Sequence, residues 1–310
     1  MLTQITGLHH VTSLARDAQE NNDFFTKTLG LRRVKKTVNF DAPDVYHLYY
    51  GDEQGSPGSV MTYFPFPNAA RGRPGAGEVG TTLFAIPEGA RAAWVERLTK
   101  LEVPGVEERE VLGQTELQFD GPDGDRFALV ETNDDRAPWT GGDVAGDMAI
   151  RGFHSGRLRL AAVDATEELL GFMGYETTDR DETITRMARA GGNGAHIIDL
   201  EHASGAAHAQ QGAGSVHHIA FAVEDRAAQL EVRRALLDTG YQVTPVIDRD
   251  YFWAIYFRTP GGVLFEIATN EPGFDRDEAP EALGQSLMLP SQHAHLRDQL
   301  ESGILQPIAD

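Results

Sequence analysis

The sequence predicts an α+β fold assembled from four copies of a strand–helix–strand–strand–strand (βαβββ) module, and three observations predict it. A strand-like segment with a His-His pair, "GLHHVTSLARD" at 7–17, returns as "GSVHHIAFAVED" at 214–225. Two fainter copies, "VGTTLFAIPEG" at 79–89 and "GFHSGRLRLAAVD" at 152–164, lie between them. Each copy leads into a helical pattern and then into short runs of alternating apolar and polar residues, the period-two signature of strands.

Taken in order, each module has its own punctuation. In module one, Asp17 and Glu20 suit a helix N-cap and its reciprocal partner; Phe24, Phe25 and Leu29 follow at helical spacing, and Gly30 is the stop. Module two has a helix through Trp94, Leu98 and Leu101 and a strand "RFALVET" at 126–132. In module three a helix starts at Asp164 with Glu167 and stops at Gly174. Module four has a helix through Leu230, Leu236 and Leu237, ending near Gly240, and then the strands of "AIYFRTPGGVLFEIAT" at 254–269.

Gly/Ala/Asp-rich connectors at 133–149 and 203–214 separate modules two from three and three from four. The expected organisation is an N-terminal domain of two modules (1–138), a linker (139–150), a C-terminal domain of two modules (151–275) and a tail (276–310). The tail holds one expected helix, "SQHAHLRDQL", with Ser291 as its cap.

Composition narrows the function classes. At 41% hydrophobic, 310 residues bury a normal core, and no apolar run approaches the roughly 20 residues of a membrane span. The start of the chain shows no basic segment followed by an apolar stretch, and cysteine is absent, so the expected setting is cytoplasmic, without disulfides or thiolate ligands. A net charge of -20, from 47 acidic against 27 basic residues, disfavours a nucleic-acid partner, because phosphates are repelled by most of such a surface. No membrane partner is expected, and a monomer or a homodimer fits equally.

Aligning the four copies isolates the residues that differ. His9-His10 of module one matches His217-His218 of module four, whereas module two has Gly80-Thr81 and module three has His154-Ser155. In the last strands, Glu266 of "TPGGVLFEIATN" aligns with Ala128 of "GPDGDRFALVETN", with Thr62 or Tyr63 in module one, and with Ile198 in module three. Glu266 is then the sole carboxylate at its position, set between Phe265 and Ile267. A carboxylate in so apolar a strand must be exposed, paired or bound to a cation, because burying it bare is very costly. Two matched histidines and one such carboxylate form the set that holds Fe(II) on one face and leaves positions open for substrate and dioxygen. The set can assemble only if modules one and four face each other.

These features resemble the vicinal-oxygen-chelate superfamily (glyoxalases, bleomycin resistance proteins and extradiol dioxygenases), whose βαβββ modules pair into cupped sheets around a metal. Within it the chain looks like the ring-cleaving dioxygenases of hydroquinones. The resemblance runs from about 5 to 275 and is carried by "GLHHVT", "YHLYYGDEQGSPGSVMTYFPFP", "VHHIAF" and "DRDYFWAIYFRTPGGVLFEIATNEPGF". It implies Fe(II), with Mn(II) accepted by the same donors, on His10, His218 and Glu266. It also implies a surrounding set of His9, Thr12, His217, Arg249 and Tyr256 for catalysis and substrate binding, with a small aromatic substrate and O2 as partners. Thr12 lies two residues from His10 and so shares its face of the strand. Strict alternation turns His9 and His217 away from the metal, and Phe252, Trp253, Ile255 and Phe257 are expected to surround Arg249 and Tyr256. The competing readings are a glyoxalase-like isomerase or lyase, which usually wants a second carboxylate ligand, and a resistance-type binding protein without chemistry.

Overall fold

Asp17 and Asp225 decide where the outer modules turn from strand to helix. Each is extended at the N-cap and accepts a backbone N–H three residues on, from Glu20 and Ala228, both at 2.8 Å. The computed structural model describes residues 1–309. Module one comprises β1 (Ile5–Ala15), α1 (Ala18–Asp23), β2 (Arg32–Val38), β3 (Tyr46–Gly51) and β4 (Val60–Pro65). Module two comprises β5 (Glu78–Pro87), α2 (Arg91–Lys100), β6 (Glu107–Val111), β7 (Gln114–Asp120) and β8 (Arg126–Thr132). Module three comprises β9 (Gly152–Leu160), α3 (Asp164–Phe172), β10 (Glu176–Arg180), β11 (Ile184–Ala188) and β12 (Ile197–His202). Module four comprises β13 (Val216–Val223), α4 (Arg226–Asp238), β14 (Ile247–Asp248), β15 (Phe252–Arg258) and β16 (Leu264–Pro272).

The described residues form two eight-stranded mixed sheets, ordered β14-β15-β16-β13-β1-β4-β3-β2 and β10-β11-β12-β9-β5-β8-β7-β6. Each sheet therefore takes one module from either side of the 139–150 segment: one pairs with four, and two with three. The joining ladders, β1 with β13 and β5 with β9, are antiparallel, and each is flanked by parallel pairs. The first sheet carries the outer modules, as the histidine pairs require.

Some elements differ from the sequence expectation. The first helix is a short α-helix continued by a π-helical turn, Phe24–Thr28, which keeps Phe24 and Phe25 buried. Asp164 is the first residue of α3 and Val163 its cap. Leu101, Leu230 and Leu237 are exposed. The helices dock through narrower stripes, Trp94 and Leu98 in α2 and Gln229, Val232 and Leu236 in α4. Gln229 is tolerated inside because its amide donates to the carbonyls of Trp253 and Ile267 at 2.7 and 2.8 Å. The tail helix is broken into a 3₁₀ turn (Ser291–Leu296), one α-turn (Arg297–Gln299) and a π-helical turn (Leu300–Ile304) kinked at Gly303. Pro290 occupies the cap, and the Ser291 N–H donates to Asp250 instead.

The tail covers the β2 edge, where the Met288 N–H donates to the Lys36 carbonyl at 2.9 Å, a device that blunts an unpaired strand. Lys35, fully buried, is paired with Asp277 at 2.6 Å and Glu278 at 2.5 Å, which ties the tail to β2. The 203–214 connector runs beside residues 70–77, and its small residues are required there: a Cβ at Gly212 would meet the Ala70 carbonyl oxygen at 2.4 Å. The same holds between the sheets, where a Cβ at Gly156 of β9 would lie 2.6 Å from Ile219 Cδ1 of β13.

Polar links also join the sheets. Arg16, just past β1, pairs with Asp123 at 2.6 Å, and the Tyr63 hydroxyl of β4 donates to the buried Asp125 carboxylate. Burial raises the Asp125 pKa to about 6. A carboxyl whose folded pKa lies above its unfolded value of 3.8 adds stability that is full below that value and is lost as pH rises through about 6. Urea unfolding of Asp125→Asn should therefore lack part of the stability decline that the wild type shows between pH 4 and pH 7. A parallel decline in both proteins would exclude Asp125 as its source.

Candidate metal centre and active-site cavity

Both His pairs lie at irregularities of the β1·β13 ladder. Leu8 faces Phe221 and Val11 faces Ile219, so β1 spends three steps where β13 spends two; Thr12 faces His218 and Ser13 faces Val216, so β13 spends two steps where β1 spends one. Each strand thus carries a β-bulge within its His-His pair. A bulge suspends alternation, which is why His9 and His217 stay beside His10 and His218 instead of turning away. The β5·β9 ladder has matching shifts at Gly80 and His154, without the histidine pairs.

The result is a buried set of donor atoms. His10 Nε2 lies 3.2 Å from His218 Nε2 and 3.4 Å from Glu266 Oε2, while His218 Nε2 lies 2.8 Å from that oxygen. These atoms fall within 4.8 Å of one another. Glu266 is wholly buried, and neither of its oxygens has an aligned hydrogen-bond donor among the described residues. Burial opposes its ionisation, but the facing His10 and His218 outweigh burial and hold its pKa well below the carboxylate range. An ionised, unsatisfied carboxylate converging with two imidazole nitrogens fits a divalent cation.

The outer nitrogens of the imidazoles are engaged. His10 Nδ1 lies 2.9 Å from His9 Nδ1, and His218 Nδ1 lies 2.7 Å from His217 Nδ1. Burial and the adjacent imidazoles hold His9 down to about 3 and His217 to about 4, so both stay neutral. Each can accept a proton-sharing bond from the Nδ1–H of its neighbour, which leaves Nε2 of His10 and His218 as a lone pair turned to the centre.

The centre opens into a cavity of about 270 Å³ lined by residues that include Phe40, His47, Tyr49, Phe64, Phe66, His217, Arg249, Phe252 and Tyr256. Arg249 Nε donates to the Tyr256 hydroxyl at 3.3 Å, and its guanidinium lies 5.5 Å from the Phe40 and Tyr256 rings. Burial and Glu266 keep the Tyr256 phenol protonated well past its ordinary pKa. Phe252 shares this face, but Ile255 and Phe257 alternate into the opposite core and Trp253 lies under Arg226 at 4.7 Å. Thr12 shares the face of His10 yet does not line the cavity; its hydroxyl bonds Thr62 at 2.9 Å.

Register corrects one alignment. Arg157 faces Asp199 in β9·β12 as Ala220 faces Glu266 in β13·β16, and Leu83 faces Ala128 in β5·β8 as Thr12 faces Thr62 in β1·β4. The mates of Glu266 are therefore Thr62, Ala128 and Asp199, not Ile198, and Glu266 is not the sole carboxylate at this position. Asp199 is buried with Arg157 at 3.1 Å and Arg186 at 2.8 Å, so guanidinium groups neutralise it where imidazoles face Glu266. The slip was one residue, enough to exchange faces. His47, Tyr49 and the phenylalanines of module one also escaped the sequence reading, although the alternation of "YHLYY" places His47 and Tyr49 on one face.

Known proteins resemble this chain in sequence and fold. The model of the Glyoxalase/Bleomycin resistance protein/Dioxygenase superfamily matches residues 7–129 and 158–267. The chain belongs to that superfamily. It is 44% identical over 307 residues (98% of this chain, 97% of the other) to MhqO of Bacillus subtilis (strain 168), which carries the name of a ring-cleaving dioxygenase. It is 38% identical over 319 residues, 98% of each chain, to the chlorohydroquinone/hydroquinone 1,2-dioxygenase of Sphingobium indicum. A crystal structure described as a dioxygenase from Bacillus subtilis subsp. subtilis str. 168 superposes with a TM-score of 0.95 at 44% identity, covering 99% of this chain and 98% of that one. Glyoxalase I of Zea mays shares the fold, with a TM-score of 0.62 at 14% identity over 86% of this chain and 92% of that one. The superfamily's paired βαβββ modules account for both curled sheets.

Glu266→Gln should keep the fold and lose tight binding of Fe(II) or Mn(II), because a neutral amide is a poor replacement for the one anionic donor of the set. Metal per chain after reconstitution and desalting, with circular dichroism of the same sample, checks it; wild-type metal content would exclude Glu266 as a ligand.

Proposed function

We propose that this protein is a ring-cleaving dioxygenase that holds iron(II) on His10, His218 and Glu266 and opens a hydroquinone- or catechol-type ring beside a hydroxyl-bearing carbon. The observation that carries this reading is a buried His–His–Glu set opening onto a small, aromatic-walled cavity. At about 270 Å³ the cavity lies near the small end of ligand pockets, about 300–1,000 Å³, a scale suited to one ring. The names of the relatives support the same reaction. When bound, iron(II) supplies Lewis acidity toward a phenolic oxygen and electron transfer toward dioxygen. Both atoms of dioxygen enter the product and one ring carbon–carbon bond breaks, so no external reductant is consumed.

The chain's own groups have separable roles. Phe40, Phe64, Phe66 and Phe252 wall the ring and exclude water. Tyr256, which faces Glu266 across β15·β16, is the proton donor, and Arg249 stabilises negative charge that develops on oxygen beside it. His9 and His217 act through the ligands they orient, and Thr12 through Thr62. The position symmetric to Glu266 is Thr62, not a second carboxylate, which disfavours a glyoxalase-like site.

Anaerobic loading with Fe(II), then oxygen-uptake assays with hydroquinones, catechols and a methylglyoxal–thiol adduct, test the proposal. One dioxygen should be consumed per ring; isomerisation of the adduct without uptake would replace this reading with the glyoxalase-like one. Tyr256→Phe should retain full iron and lose about 10²–10⁴-fold in turnover. Normal turnover would reduce Tyr256 to a packing residue.

A further inference from the structure

Tyr256 has an internal counterpart. Tyr49 faces Thr62 across β3·β4 as Tyr256 faces Glu266 across β15·β16, so the two tyrosines are mates under the symmetry that relates modules one and four. In the other sheet the corresponding positions hold Gln118, facing Ala128, and Arg186, facing Asp199. The tyrosine pair is thus confined to the sheet that carries the candidate metal centre, and both phenols line its cavity. One phenol belongs to the metal corner, with Arg249 and Glu266. The other belongs to a corner without a carboxylate.

At that second corner the hydroxyls and imidazole are linked in series. The Tyr49 hydroxyl is 2.8 Å from His47 Nδ1, His47 Nε2 is 2.8 Å from the Thr62 hydroxyl, and Thr62 is 2.9 Å from the Thr12 hydroxyl. His47 is buried and lies against Phe64, with ring centroids 4.3 Å apart. Burial, then His10 and His218, lower its pKa well below the usual imidazole value, so it carries one N–H. With that proton on Nε2, the Tyr49 O–H donates to Nδ1 and its oxygen is free to accept. With the proton on Nδ1, Thr62 donates to Nε2, His47 donates to the Tyr49 oxygen, and the phenol O–H is free to donate into the cavity. Tyr49 can therefore meet a ligand hydroxyl in either sense without charging any buried group.

We propose that Tyr49, held by His47, is the subsite for the far hydroxyl of a 1,4-dihydroxybenzene, and that it selects para-diols over rings lacking that group. The inference rests on the ring-cleavage reading for its substrate class. A para-diol carries hydroxyls at opposite ends of the ring, and the cavity is lined by two symmetry-related phenols that can each serve one of them. Phenol and catechol leave the Tyr49–His47 corner without its partner, and a site built to bond a hydroxyl rejects analogues that lack it.

Titrating the Fe(II)-loaded protein with hydroquinone and with phenol in a calorimeter, without oxygen, tests the subsite. The wild type should prefer hydroquinone, and Tyr49→Phe should lose roughly tenfold to a hundredfold of hydroquinone affinity while phenol affinity changes less than about twofold. His47→Gln, which removes the support and keeps the phenol, should shift the same preference in the same direction by less. Melting temperature and iron content establish that each variant is folded and loaded, and His47→Gln carries the test if Tyr49→Phe is not. An equal loss for both ligands, or an unchanged preference in the folded variants, overturns the proposal. Oxygen admitted to the same samples separates the two readings. Selective loss in Tyr49→Phe without oxygen uptake by the wild type leaves the subsite standing and ends the ring-cleavage reading. Uptake with an unchanged preference does the reverse, and a wild type that binds neither ring overturns both.

Discussion

The site depends on the antiparallel ladder between β1 and β13, in which each strand carries a bulge at its His-His pair. In a regular ladder, consecutive side chains face opposite sides of the sheet, and a His-His pair delivers one imidazole to each. The bulges keep both members of each pair together, so the inner histidines converge while the outer ones hold their Nδ1 atoms. Backbone hydrogen bonds of the sheet, not flexible loops, set this geometry. That is the stiffer foundation for a metal centre. It also joins the first module to the fourth, because His10 and His218 are 208 residues apart.

The same duplicated framework solves one electrostatic problem in two ways. Glu266 and Asp199 hold matching positions, and both are wholly buried. Asp199 has permanent cations, Arg157 and Arg186, within hydrogen-bonding distance, and Arg157 also pairs with the buried Glu116. A guanidinium network of this kind neutralises its carboxylates with the chain's own cations. Glu266 instead faces two imidazoles, of which His218 is held below its ordinary pKa by burial, and its oxygens are unsatisfied by aligned donors. The first arrangement is neutralised from within the chain, and the second leaves a donor set that fits a divalent cation.

Support for the cavity comes from outside the repeat as well. Tyr251 donates its hydroxyl to Asp277 at 2.9 Å and lies under Lys35, while Phe274 packs on Tyr49 with ring centroids 5.0 Å apart. The segment that follows β16 thus backs the module-one wall of the cavity. Lys35 connects that wall to the β2 edge through its pairs with Asp277 and Glu278. A segment with no counterpart in the modules therefore bears on the shape of the site.

Internal repetition made the module count and the α+β class legible from the sequence, and it singled out His10, His218 and Glu266, whose side chains the fold brings together. Asp17 and Asp225 were legible for a local reason: capping involves residues three apart. Other features depended on partners far away in the chain. Nothing in the order of residues says that module one hydrogen-bonds to module four across two intervening modules; the histidines only require it. The bulges exist in the mismatch between two strands, so His9 and His217 had no defined direction until both were paired. The register of β12 against β9 moved the equivalent carboxylate from absent to Asp199, since a one-residue slip exchanges the faces of a strand. His47 and Tyr49 were visible as an alternating pair, but their hydrogen bonds to Thr62 and their place opposite Tyr256 arise only where β3, β4 and β15 meet around one cavity. The chain alone determined which side chains are candidates for the chemistry; strand pairing decided which of them meet.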